Sequence, residues 1–182
     1  MLITICLFKL VSYKFQAIGF SEYTISKRLF GFLMPFLLLG MGVSLPKFLP
    51  NESFKKQLEI HYCSLIILTL FFLLSLLLFF SMSSVVSKLV FGDECHRGIC
   101  GIVLLYTFSL ILHTCQYNYF RGKFEYKISA LLQFINLGII PLIVFPFAEN
   151  IFEYFLFISI LTFFICIVVN WLYIPVVKIT FF

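Results

Sequence analysis

Charged and amide side chains are scarce in this sequence, so each one within an apolar stretch calls for a chemical reason. Lys14, Lys27 and Arg28 stand early in the chain among aliphatic and aromatic neighbours. A cation in hydrocarbon costs roughly 3 kcal/mol or more unless it snorkels to water or meets an anion. An anionic ligand would supply that counter-ion; the plainer reading puts all three at the water interface. His113, Gln116 and Tyr117 recur at i, i+3, i+4 and so share one helix face, and Ser129, Gln133 and Asn136 form a second polar stripe. The two stripes flank one turn and could line a hydrophilic path, or simply hold helices together by hydrogen bonds of about 1 kcal/mol each. In that turn, Tyr117-Asn118-Tyr119-Phe120-Arg121-Gly122-Lys123 places aromatic anchors beside two cations. Arg121 offers a forked donor set and Lys123 a point charge to a phosphate, or both are ordinary interfacial anchors.

Covalent chemistry finds little to use. The eight carboxylates all lie outside the longest uncharged runs, which leaves no buried acid pair for proton transfer. His96, in Cys95-His96-Arg97-Gly98-Ile99-Cys100, lacks the further ligands of a zinc site, and no glycine-rich nucleotide loop occurs. Cys6, Cys63, Cys115 and Cys166 read as small core residues; Cys95 and Cys100 could pair but read more simply as unpaired. The expectation is therefore no enzyme, no metal and no cofactor.

The elements that must position these residues follow from composition. Of 182 residues 62% are hydrophobic and only 12% charged, with a mean hydropathy of +1.10, which excludes a soluble globule, a disordered chain and a secreted disulfide scaffold. Five runs are long enough to cross a ~30 Å hydrocarbon core as helices: 29–46, 60–87, 98–120, 128–148 and 154–177. Strands of a barrel would alternate apolar and polar, and Leu65 to Phe80 does not. The fold class expected is all-α, a polytopic bundle in the lipid bilayer with five full spans, a partial one over 1–13, and no second domain. At 1.5 Å per residue the run 60–87 reaches about 42 Å, so it must tilt or overhang at Ser81-Met82-Ser83-Ser84. Pro35, Pro141 and Pro146 predict kinks. The basic residues are scattered, which argues against nucleic acid as a partner.

Lysine and arginine in the short loops set orientation. Lys47, Lys55 and Lys56, then Arg121, Lys123 and Lys127, then Lys178 all fall on one side, which places that side and the C-terminus in the cytoplasm. The other side holds Lys88 and Arg97, offset by Asp93 and Glu94, followed by Glu149 and Glu153. Lys14, Lys27 and Arg28 break the rule, because alternation puts their segment outside. The lysines of the first fourteen residues follow the apolar stretch instead of preceding it, and no small-residue cleavage site comes after, which argues against a signal peptide.

Phe15-Gln16-Ala17-Ile18-Gly19-Phe20-Ser21-Glu22-Tyr23, followed by a span ending Gly40-Met41-Gly42-Val43-Ser44-Leu45-Pro46-Lys47, resembles the polysaccharide biosynthesis proteins. These are the O-antigen repeat-unit flippases of the multidrug/oligosaccharidyl-lipid/polysaccharide export superfamily. Tyr119-Phe120-Arg121-Gly122-Lys123-Phe124-Glu125-Tyr126-Lys127, running on through Leu131-Leu132-Gln133-Phe134-Ile135-Asn136-Leu137, is similar to that family's fourth-to-fifth helix junction. The resemblance implies one lobe of a transporter of twelve to fourteen helices in the bacterial inner membrane. Its cargo would be an undecaprenyl-pyrophosphate-linked oligosaccharide, a lipopolysaccharide or related precursor. It also implies basic residues of the first helices, Lys14, Lys27 or Arg28, beside the pyrophosphate. The chain reads as an N-terminal lobe short of its own beginning, whose partners would be a C-terminal lobe or other polysaccharide-assembly membrane proteins. The competing readings are a drug or cation antiporter of the same superfamily, a membrane polymerase or acyltransferase of the same pathway, and a non-transporting subunit or remnant.

Overall fold

The computed structural model describes residues 2–174, with side chains from residue 5 onward; the expectations for 175–178, including Lys178 and the side on which the chain ends, lie outside the described residues. All regular structure among them is helical: α1 (Leu2–Leu38), α2 (Met41–Phe48), a single turn (Leu49–Asn51), α3 (Phe54–Phe91), α4 (Arg97–Gly122), α5 (Tyr126–Phe134), a widened turn (Ile135–Ile139), α6 (Ile140–Val144) and α7 (Ile151–Tyr173). Four helical units, 54–91, 97–122, 126–144 and 151–173, are long and apolar enough to cross a membrane, and α1 with α2 makes a fifth if that pair, bent by 45°, is one span.

The largest departure from expectation is in α1. Gln16 takes φ 55° and ψ −162°, breaking the helix into arms 2–15 and 17–38. The Phe8 ring lies 6.2 Å from Phe20 and 5.4 Å from Tyr23, centroid to centroid. In a straight helix fifteen residues would separate the latter pair by roughly 22 Å, so the chain turns a sharp elbow. Gly19 is needed there, because a Cβ on it would stand 2.5 Å from Phe15 Cβ. The expected run 29–46 thus begins inside a longer helical arm, 17–38, that also carries Lys27 and Arg28, and it crosses the turn into α2. An uncharged-run criterion stops at the first cation and could not see this. The short first arm buries Leu7 and Val11 against the bundle.

The other boundaries fall close to expectation, and each bend has a local cause. The arm 17–38 passes Pro35 without a backbone break and turns at Leu39 (φ 51°) and Gly40 (φ 74°) instead, where glycine tolerates the left-handed conformation. In α3, 38 residues or about 57 Å long, the break is at Met82 (φ −127°, ψ 21°), within the serine-rich overhang. Pro141 has no N–H for the Leu137 carbonyl, and the helix ahead of it widens so that Ile140 N–H reaches the Ile135 carbonyl. Pro146 lies in the turn beyond α6. Hydroxyls within the spans satisfy themselves on carbonyls one turn back, as in Ser64 to Ile60, Thr69 to Leu65 and Ser75 to Phe71.

Helix α4 is the axis, packed against α7, α3, α2, α5 and the long arm of α1. It carries the buried polar side chains because lipid offers them no partners. One apolar cluster gathers Val11, Tyr23, Tyr106, Tyr154 and Phe155; a second gathers Leu49, Leu68, Phe72, Tyr119 and Phe120. Leu70, Leu73, Leu74, Leu77 and Leu78 of α3 are exposed, as a lipid-facing surface requires. Cys115 and Cys166 are buried as expected, whereas Cys6 is exposed; all six cysteines are free, Cys95 and Cys100 included.

The two ends of the bundle differ in charge. The elbow end joins Lys14 to the turn after α6, Glu22 to His96, and Gly98 to Phe152. The opposite end joins Lys123 to Phe54 and Gly122 to Leu49, and carries Lys47, Lys55, Lys56, Arg121 and Lys127.

Candidate functional site

Lys27 lies on the long arm of α1, eleven residues past the elbow and five residues, roughly 7.5 Å, past Glu22. Its Nζ reaches the Tyr106 hydroxyl at 3.5 Å and sits 5.4, 5.6 and 5.9 Å from the ring centroids of Tyr106, Tyr23 and Phe30. Tyr23, Lys27 and Phe30 share one face of α1 by i, i+4, i+7 spacing, and α4 supplies Tyr106 from the other side. Ring faces stabilise a desolvated ammonium by about 2 kcal/mol without neutralising it. Beneath it Ser26 Oγ is buried with no hydrogen-bond partner in the chain.

Arg28, the next residue, points about 100° away around the helix and is exposed. Among the described residues it makes no hydrogen bond and no ion pair. Two adjacent cations on the long arm, one boxed by rings and one open, leave a net positive charge that no carboxylate among the described residues pairs with directly. The arrangement fits a multiply charged anion, with Arg28 in contact and Lys27 supplying field from behind.

Lys14 does not join them. It stands at the elbow end, where its Nζ donates to the carbonyls of Phe145 (2.8 Å) and Pro146 (2.9 Å), which follow α6. It borders an open cavity of about 510 Å³ lined also by Gln16, Glu22, Glu149 and Asn150.

The two polar stripes meet only in part. His113 Nδ1 lies 2.9 Å from Asn136 Nδ2, and Gln116 Nε2 donates to the Cys166 carbonyl at 2.7 Å, so α4 is tied to the widened turn and to α7. Gln116 Oε1, Asn136 Oδ1 and Thr162 Oγ1 are buried without a partner in the chain. Gln133 is exposed: the inward stripe is Ser129, Leu132, Asn136 and Ile140, and Leu132 takes the place that the polar pattern assigned to Gln133. Tyr117 is half-buried, with its ring under the Arg121 guanidinium at 5.4 Å. Lys123 is committed elsewhere, to Glu125 at 2.7 Å and to the faces of Phe54 and Tyr119. Arg121 remains exposed at the basic end. The nine candidate residues thus fall into five separate places.

Sequence reasoning missed three arrangements. The Tyr23 and Phe30 half of the lysine box was visible in its spacing; Tyr106, seventy-nine residues away from Lys27, left no local signal. His61 is fully buried on α3, its Nε2 3.4 Å from Asn170 Oδ1 and its ring 4.4 Å from Tyr119, so that Asn170 joins α7 to α3. His96 sits between two carboxylates, Asp93 at 2.6 Å and Glu22 at 3.1 Å. Among the described residues no group of three or more histidine, cysteine or acidic side chains is arranged to hold a metal. Comparison with protein-family models, curated proteins and solved structures found no match.

Proposed function

We propose that this chain is a membrane-embedded helical lobe that binds the pyrophosphate of an undecaprenyl-linked oligosaccharide and takes part in moving it across the bacterial inner membrane. The observation that carries the reading is the Lys27–Arg28 pair on the long arm of α1, which among the described residues has no carboxylate against either side chain. Such a charge is costly in lipid and calls for an anion from outside this part of the chain. A pyrophosphate on a polyprenyl tail is an anion that already resides in the bilayer. Arg28 gives it forked donors, and Lys27 raises the local potential.

The exposed face of α1 around Arg28 supplies one wall of such a site. Translocation then needs a second helical unit opposite, since alternating access comes from one bundle rocking against another. The excess of lysine and arginine at the opposite end from the elbow supports a cytoplasmic side for that end. On this orientation Lys27 and Arg28 belong to the membrane interior and drop out of the loop count, while Lys14 stays on the outer face as the one remaining exception of the three. Cation antiport would call for a carboxylate free within a span; Glu22, the acid on the long arm of α1, is tied to His96.

The test is complementation in cells that depend on this chain for surface polysaccharide. Arg28→Ala is expected to lower surface polysaccharide at least tenfold at unchanged protein abundance, and Lys14→Ala to leave it near normal. Normal polysaccharide with Arg28→Ala removes the site.

A further inference from the structure

At the elbow end, His96 presents both ring nitrogens to carboxylates, Nδ1 to Asp93 Oδ1 at 2.6 Å and Nε2 to Glu22 Oε1 at 3.1 Å. A neutral imidazole carries one N–H, and would set a lone pair against one of those carboxylates; only the imidazolium donates at both. The ring stacks on Phe91, 4.9 Å between centroids and 5° from parallel, which fixes its plane. The charged groups around it are accounted for. Glu22 comes from α1 and Asp93 from the α3–α4 turn, while Glu94 is taken up by Lys88 of α3 at 2.7 Å and by Arg97 of α4.

We propose that His96 is a proton-binding clasp, and that the proton it holds fastens the elbow of α1 to the α3–α4 turn. The two bonds are unequal. Asp93 Oδ1 also accepts the backbone N–H of Cys95 and of His96, so it stays with its own turn whatever the ring does. Glu22 is seventy-four residues away and reaches His96 by the longer contact. When the ring loses a proton, Nδ1–H stays on Asp93 and the Nε2 lone pair faces Glu22. The carboxylate is then free to swing into the 510 Å³ cavity that it already lines with Lys14 and Glu149.

The direction with pH follows. Asp93, hydrogen-bonded to the ring, raises His96 above its ordinary 6.5, and Glu22 adds to the rise. The same contact lowers Asp93, and Lys88 with Arg97 lowers Glu94, so both remain ionised at neutral pH. A raised histidine contributes fully below 6.5 and loses its contribution as pH climbs through the folded-state value. The clasp is therefore closed in mild acid and open in mild alkali. It stands on the geometry of three side chains and holds whatever crosses the membrane. Its consequence for transport, that protons at this end control the helix bearing Lys27 and Arg28, rests on the function proposed above.

The experiment is hydrogen exchange on the full chain in lipid nanodiscs at pH 6.0 and pH 8.5, corrected for intrinsic rates, following the amides of 14–25. The wild type is expected to exchange there at least fivefold faster at pH 8.5, with α4 and α7 unchanged as an internal control of folding. His96→Gln should be fast at both pH values. Glu22→Gln, which keeps the ring and its Asp93 bond, should lose most of the pH dependence. Equal protection of wild type at the two pH values overturns the clasp, as does a pH dependence that survives in Glu22→Gln. A normal clasp beside wild-type polysaccharide in Arg28→Ala would sink the transport reading alone.

Discussion

The middle of α1 and its elbow end use the same kinds of side chain to opposite effect. At the elbow, Lys14 has two carbonyls, His96 has two carboxylates, and Glu94 has Lys88 and Arg97. Eleven residues past the elbow, Lys27 has ring faces and the phenols of Tyr106 and Tyr23, and Arg28 has no side-chain partner among the described residues. Charges that are satisfied where they stand build structure; charges left uncompensated where they are most costly point to a ligand. Which of the two a cation does depends on its surroundings and cannot be taken from its identity.

That contrast can be broken in several ways. The largest expected effect on folding is at the elbow itself. Gly19→Ala forces a Cβ onto Phe15 and should destabilise the chain by about 1–3 kcal/mol, read as a lowered unfolding midpoint in detergent. Next, Arg28→Ala should weaken binding of a polyprenyl pyrophosphate to the nanodisc-embedded chain at least tenfold without moving that midpoint. Arg28→Lys should recover part of the loss, since it restores charge and not the fork. Binding equal to wild type would put the middle of α1 in the same class as its end.

The sharpest comparison is one of sign. Lys27→Met removes an uncompensated charge and should raise the unliganded chain's stability by about 1 kcal/mol while weakening anion binding. Lys14→Ala gives up two hydrogen bonds and should lower stability by about 1 kcal/mol with binding intact. Two lysine variants moving the midpoint in the same direction would contradict the distinction. The smallest effect is expected at the basic end, where the exposed Lys55–Glu59 pair, 3.7 Å apart, is worth no more than about 0.5 kcal/mol.

Much of the architecture was legible because hydrocarbon leaves few solutions: uncharged runs of sufficient length become helices, and four of the five expected runs coincide with observed helices to within a few residues. The site was legible only in part. Lys27 and Arg28 could be singled out by cost alone, but the same reasoning added Lys14, because a one-dimensional reading measures distance along the chain and cannot see an elbow. Gln133 failed for a related cause, since helical spacing gives a face and does not say whether that face turns inward. The His96 clasp was hidden because one of its carboxylates comes from a different helix.

The sequence by itself therefore determined that this protein is a bundle of apolar helices and that its few interior polar groups demand partners, since both follow from the cost of moving single residues out of water. Only the tertiary structure decided which partners they get. Pairing is a matter of ångströms between residues tens of positions apart, and a break in the backbone at Gln16 brings Lys14 to the carbonyls after α6 and leaves Arg28 on the far arm without a partner among the described residues.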